Sequence, residues 1–247
     1  LMDLTSFQPG ANVAVIGASG GIGAAFCRAL AGSESVGVVH ALARSRTEFP
    51  NAAIRPSIVD MLDEASLAQA AERVSADGPL DLVIVATGIL HRDELQPEKA
   101  LRDIDGEAML DVLRVNTVGP ALAAKHFLPL MRRRGKSVFA ALSARVGSID
   151  DNRLGGWVSY RASKAALNQT MKTLAIEHAR RRPDGVVASL HPGTVATNLS
   201  EPFSSRVPPA KLFKPEIAAA HLLRVIDGLT ETDSGGFFAW DGSSIPF

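Results

Sequence analysis

Tyr160 is the one tyrosine of the chain, and Lys164 follows it four positions later. Four residues is about one helical turn, so on a helix the two side chains share a face. A phenol has a pKa near 10, which leaves about one in a thousand ionised at neutral pH. Bringing that pKa to about 7 takes about 4 kcal/mol of preference for the phenolate. An ammonium about 5 Å away, at an effective dielectric of about 20, supplies about 3 kcal/mol. The pair could therefore serve as a general acid/base. Against this, the 7 lysines among 247 residues put one at that offset by chance about 3% of the time. A half-buried tyrosine beside a solvated lysine is the plainer alternative, and the rest of the chain must decide.

A second group of residues suits an anion. Gly17-Ala-Ser19-Gly-Gly21-Ile22-Gly23 follows the apolar run Asn12–Ile16 and opens a helix-like stretch, Gly21–Ala31. Glycines there let the backbone turn tightly and approach a pyrophosphate, while the helix N-terminus favours negative charge. The spacing is G-x-x-x-G-x-G and not the commoner G-x-G-x-x-G. The next strand-like run, Val36–Leu42, is followed by Arg44 and Arg46, with no acid until Glu48. In dinucleotide folds an acid at this point binds the ribose hydroxyl of NAD, and an arginine accommodates the 2′-phosphate of NADP. NADP is expected here, with NAD the lesser alternative; a solvated loop arginine is the plain one.

Ser143 ends the apolar run Ser137–Leu142, at the strand end where parallel sheets bind ligands, and Asn116 lies in Arg114-Val-Asn-Thr-Val-Gly119. Either residue alone is more often a turn or cap. Ser143 stands in Leu-Ser-Ala, so a nucleophile elbow is not indicated. The 6 histidines show no metal-ligand spacing, and no metal site is expected.

These residues need a scaffold. Strand-like runs at Asn12–Ile16, Val36–Leu42, Leu82–Ala86, Ser137–Leu142, Val186–Leu190 and Gly236–Trp240 alternate with helix-length segments. Those segments are 21–31, 64–75, about 107–134 with bends at Pro120 and Pro129, about 158–181, and 216–228. The alternation predicts an α/β fold with a parallel sheet covered on both faces, in a single domain spanning 1–247. The Pro/Ser-rich stretch at about 199–215 reads as a surface excursion or lid. Leu199, Phe203, Val207, Leu212 and Phe213 in and beside it either face an apolar substrate or pack the lid down.

Composition excludes little but points one way. Net charge is zero and the pI about 7.2, so there is no electrostatic case for nucleic acid or a membrane surface. The runs Arg132–Arg134 with Lys136, and Arg180–Arg182, each close a helix-like stretch; they suit the negative helix end, or form an anion or partner patch. Glycines and polar residues interrupt the uncharged stretch after Asp3, so neither a membrane span nor a signal peptide is indicated. A lone cysteine, Cys27, fits a reducing, cytoplasmic location.

Taken together, Gly17-x-x-x-Gly21-x-Gly23, Asp60, Asn116, Ser143, Tyr160-x-x-x-Lys164 and Pro192-Gly193-Thr194-Val195-x-Thr197 resemble the short-chain dehydrogenases/reductases over essentially the whole chain. The stretches 146–164 and 237–247 resemble the C-factor/sniffer-like carbonyl reductases, including a long gap between Ser143 and Tyr160. The resemblance implies a Rossmann-type doubly wound sheet of seven strands and an oxidoreductase working on a carbonyl or alcohol with NADP(H). It implies Tyr160 as proton donor or acceptor, Lys164 as the group that lowers its pKa and holds the nicotinamide ribose, Ser143 orienting the carbonyl, and Asn116 holding a relay water. Cofactor contacts would come from Gly17, Ser19, Gly21, Ile22, Gly23, Arg44, Asp60 beside the adenine, Ala86, Gly88, Asn116, Tyr160, Lys164, Pro192, Gly193, Val195 and Thr197. Where the family has Asn-Asn-Ala-Gly, this chain has Val85-Ala86-Thr87-Gly88, which leaves the hydrogen bonding of the central sheet in question. Homodimer and homotetramer, through the helices carrying Asn116 and Tyr160, stay open beside a monomer that the long 146–157 segment would allow. A cofactor-binding regulatory protein with incidental catalysis is the competing reading.

Overall fold

The computed structural model describes residues 3–92, 94–206, 208 and 211–247. The apolar runs become strands β1 (Ala11–Ile16), β2 (Val36–Ala43), β3 (Ile54–Ile58), β4 (Leu82–Val85), β5 (Ser137–Leu142) and β6 (Gly185–His191). A short pair, β7 (Thr194–Val195) and β8 (Leu212–Phe213), precedes the last strand, β9 (Phe237–Ala239). Between them lie helices α1 (Gly21–Ala31), α2 (Glu64–Ser75), α3 (Gly106–Leu113), α4 (Gly119–Phe127), α5 (Val158–Ala179) and α6 (Pro215–Gly228).

Seven strands form one parallel sheet in the order β3-β2-β1-β4-β5-β6-β9. Every residue of β1, β4 and β5 is buried, as mainly apolar strands covered on both faces require. On one side, Phe26 and Leu30 of α1 and Leu222 and Ile226 of α6 pack on Val13, Val15 and Ile84. On the other, Leu67 and Val74 of α2, Phe127 of α4 and Leu167 and Met171 of α5 pack on Ala14, Ile16 and Phe139. The strand order reverses between β1 and β4, which opens a crevice above their carboxyl ends.

Three features depart from the sequence pattern. Strand β3, Ile-Arg-Pro-Ser-Ile, was hidden by Pro56, which cannot donate to a ladder; it is tolerated because β3 is an edge strand. The stretch 107–134 is not one helix: a π turn over Arg114–Val118 separates α3 from α4, and Leu128–Leu130 is a 3₁₀ turn. Pro120 falls at the second residue of α4 and Pro129 in that last turn, so both prolines do mark breaks. The segment after Thr197 has structure of its own, with a 3₁₀ turn at Glu201–Arg206 and β8 pairing in parallel with β7. Val207 lies outside the described residues. Among the described residues, no helix is long and apolar enough to cross a membrane.

Replacement of the family asparagines leaves the central pairing intact. Strands β1 and β4 pair from Val13–Leu82 to Ile16–Val85, and the Ala86 N–H donates to the Ile16 carbonyl at 2.8 Å.

Candidate active site

The glycine turn is shaped by close approach. Gly17 has φ +95°, and a Cβ there would stand 2.9 Å from the Thr87 methyl. A Cβ on Gly23 would meet the Gly17 carbonyl oxygen at 2.1 Å, so only glycine lets the first turn of α1 sit on the loop. Helix α1 begins at an N-cap, Gly20, that offers no side-chain cap, and its first turn holds no acid. Its leading N–H groups are thus left for an anion. Ser19, Gly21 and Ile22 line a cavity of about 500 Å³ that continues past Ala86 and Gly88 to Ser143, Tyr160, Lys164, Pro192 and Thr197. An uncapped helix end over a glycine cradle, open to a long cavity, fits a dinucleotide.

Tyr160 and Lys164 lie in the first two turns of α5 and both are buried. Lys164 Nζ stands 5.8 Å from the Tyr160 ring centre and donates to the Leu142 carbonyl oxygen at 2.8 Å. The shared helix face is as expected; the electrostatics are not. Burial alone raises the Tyr160 phenol above its ordinary value, and burial lowers the Lys164 ammonium to about 8. Desolvation disfavours both charged forms here and outweighs their mutual help. Tyr160 therefore stays protonated through neutral pH, as a proton donor must.

Asn116 is wholly buried inside the π turn. Its Nδ2 donates to the Ile89 carbonyl oxygen at 2.8 Å and to Ser163 Oγ at 3.0 Å, and its Oδ1 accepts from the Ile89 N–H at 2.8 Å. The extra residue of a π turn often marks a functional position. Here it aims one amide at both the loop after β4 and helix α5. Gly88 completes this contact, since a Cβ there would meet Asn116 Oδ1 at 3.3 Å and Lys164 Nζ at 3.4 Å.

Ser143 Oγ is enclosed and has no hydrogen-bond partner among the described residues. A buried hydroxyl left unpaired is costly in a folded protein and calls for a ligand or water. It faces both the long cavity and a second one of about 250 Å³. The second cavity shares Ile22, Ser143, Tyr160, Pro192, Thr197 and Leu199 with the first and extends to Trp157, His191, Gly193, Val195 and Phe203. Arg44 and Asp60 line neither; they are exposed just beyond the neighbouring strands β2 and β3, where Asp60 Oδ1 accepts from the Leu62 N–H at 2.9 Å.

Two residues escaped the sequence reading. Glu98, buried in the loop before α3, accepts with both carboxylate oxygens from the Ser159 N–H at 3.2 Å and takes the Ser159 hydroxyl as well. It caps α5 from a distant part of the chain, where Trp157 as N-cap supplies no side-chain acceptor. Trp157 is the one non-glycine with positive φ among the described residues, at φ 53° and ψ 46°. The Glu98 carbonyl oxygen holds its N–H at 2.7 Å. Its ring meets those of Tyr160 and Phe203 edge-on at 6.4 and 5.1 Å. Nothing near Glu98 in sequence marks it, whereas Gly155-Gly156 before Trp157 does signal a sharp turn.

Comparison with known proteins meets this geometry. Residues 11–207 match the short chain dehydrogenase family. The chain is a short-chain dehydrogenase. It lies near the C-factor/sniffer-like branch that its loop and tail suggested. It is 35% identical over 76% of its length to 1-hydroxy-2-glutathionyl-2-methyl-3-butene dehydrogenase of Rhodococcus sp. (strain AD45), covering 77% of that protein. It is 34% identical over 69% of its length to C-signal of Myxococcus xanthus, covering 94% of it. Among solved structures, the NADPH-bound carbonyl reductase from chicken fatty liver matches 98% of this chain and 96% of its own, with TM-score 0.84 and 25% identity. As a short-chain dehydrogenase the chain is an oxidoreductase of NAD(P) acting on small molecules.

Proposed function

We propose that this short-chain dehydrogenase is an NADPH-dependent carbonyl reductase. The observation that carries the reading is the enclosed, unpartnered Ser143 Oγ beside a protonated Tyr160, in a cavity continuous with the uncapped N-terminus of α1.

A bound nicotinamide supplies the hydride. The first turn of α1 and Gly17, Ser19, Gly21, Ile22 and Gly23 receive the pyrophosphate. Arg44 takes the 2′-phosphate, as the first charge beyond β2, and Asp60 sits by the adenine. Ala86, Gly88, Pro192, Gly193, Val195 and Thr197 wall the nicotinamide end, and Lys164 holds its ribose. Ser143 and Tyr160 donate hydrogen bonds to the carbonyl oxygen, which polarises it. Tyr160 then protonates the forming alkoxide. The two N–H groups of Asn116 are committed to Ile89 and Ser163, so its part in a proton relay falls to its oxygen or main chain. Thr197, Leu199 and Phe203 line the smaller cavity, and Trp157 and Phe203 favour an apolar or aromatic carbonyl. A buried Cys27 suits a reducing compartment such as the cytoplasm.

The test is a panel of aldehydes, ketones and diketones with NADPH or NADH, repeated with Tyr160→Phe. NADPH-dependent turnover that falls by about 10² or more in the variant supports the reading. Turnover surviving the substitution removes Tyr160 as the acid. A second reading, a cofactor-binding signalling protein, draws on the likeness to C-signal. Tight cofactor binding with no turnover on any carbonyl would favour it.

A further inference from the structure

His191 is the last residue of β6 and the next-door neighbour of Ser143. Leu142 pairs with Leu190, and the Ser143 N–H donates to the Leu190 carbonyl oxygen at 2.8 Å. Ser143 and His191 are therefore the next pair along two adjacent parallel strands, about 4.8 Å apart, with side chains on one face. Both line the smaller cavity with Tyr160. Of the imidazole nitrogens, Nδ1 is enclosed and has no hydrogen-bond partner among the described residues. An enclosed nitrogen is less costly as a bare lone pair than as an orphaned N–H, which puts the hydrogen on Nε2. Burial, with Arg145 next and Asp241 opposing, holds the ring neutral, its pKa down at about 4. His191 thus adds a donor to those of Ser143 and Tyr160, in a wall that also carries the hydroxyls of Thr194, Thr197 and Ser200. Among the described residues Arg145 is the one charged residue lining the cavity, and its guanidinium is paired with Asp151 at 3.0 Å.

We propose that His191 determines specificity: its Nε2–H receives a second, neutral oxygen acceptor carried on the carbon next to the reacting carbonyl. The proposal rests on the carbonyl-reductase reading, which assigns Ser143 and Tyr160 to the carbonyl oxygen and leaves His191 free for another. With Arg145 already paired, an ether, hydroxyl or second carbonyl fits better than a carboxylate.

Two ketones of matched size test it: methoxymethyl phenyl ketone and phenyl propyl ketone, which differ by one oxygen in place of a methylene. Their dissociation constants are read from intrinsic tryptophan fluorescence, Trp157 being in the wall, with wild type, His191→Phe and His191→Asn. Wild type binds the ether ketone about fivefold tighter, a typical net hydrogen bond. His191→Phe loses that preference, and His191→Asn, which keeps an N–H, recovers part of it. A wild type without preference overturns the proposal, and so does a His191→Phe protein that keeps it. His191→Leu replaces the phenylalanine variant should that one fail to fold. Because binding is read without turnover, absence of carbonyl reduction would refute the proposed activity while this result still stands.

Discussion

Lys164 reaches past the Tyr160 ring to the end of β5, where its ammonium donates to the Leu142 carbonyl oxygen at 2.8 Å. The helix puts the two side chains on one face, but the strand end claims the charge. Each group is desolvated, and each neutral form gains. In the direction of reduction this helps, because a phenol that holds its proton at neutral pH is ready to give it to an alkoxide.

The pH dependence follows from Lys164. Burial lowers its ammonium from about 10.5 to about 8, so it carries its charge below pH 8 and loses it above. The kcat/KM for reduction should be level from pH 6 to 7.5 and fall as pH rises through about 8. The variant Lys164→Met should be slower throughout and lack that limb. A falling limb at the same pH in the variant would assign it to another group.

Glu98 is the second relationship that matters to the site, because it caps the helix that carries both Tyr160 and Lys164. Removing an N-cap costs about 0.5–2 kcal/mol. In a chain of this length that lowers Tm by about 1–8 °C. Glu98→Ala should show such a loss in thermal unfolding. Glu98→Gln, which keeps one acceptor and the main-chain bond to Trp157, should lose less. Equal Tm values for wild type and Glu98→Ala would deny the cap.

In the proposed function the cofactor preference turns on Arg44. It is exposed just beyond β2, with Arg46 two residues on. A hydrogen bond to a charged group is worth about 1.5–3 kcal/mol, which is about 10- to 100-fold in affinity. Arg44→Asp should weaken NADPH by that factor and leave NADH equal or better. Fluorescence titration with both nucleotides measures it, and an unchanged NADPH affinity would move the 2′-phosphate elsewhere.

Much of this was readable in the chain because the residues at issue are adjacent in sequence or sit at strand ends. The strands β1, β4 and β5 are mainly apolar runs, and Ser143 follows β5 directly. The glycine turn is contiguous, and Tyr160 and Lys164 share one helix. What could not be read depends on packing between distant segments. Glu98 acts across 61 residues, and the π turn at Asn116 leaves no periodic trace because its neighbours continue the helix. His191 reads as one more residue of a buried strand until the register sets it beside Ser143. The Tyr160–Lys164 electrostatics failed for the same reason. A pairwise Coulomb estimate knows the spacing but not the burial, and burial was the larger effect.

Acid stability supplies a test outside the site. His178, near the end of α5, is buried against Gly185, where a Cβ would stand 2.5 Å from its Nε2. Burial first, and Arg182 second, lower its imidazole from 6.5 to about 4. The unfolded chain therefore binds more protons than the folded one between those values, and stability must fall as pH drops through them. The contribution is complete above about pH 6.5 and is lost toward pH 4, with a ceiling of about 3 kcal/mol. His191, also near 4, adds in the same window. Denaturant unfolding at pH 7, 5.5 and 4.5 should show wild type losing more stability than His178→Leu, by up to one proton's slope. The carboxylates titrate alike in both proteins, so the difference isolates the imidazole. Parallel curves would mean that His178 takes up its proton in the folded state as readily as in the unfolded one.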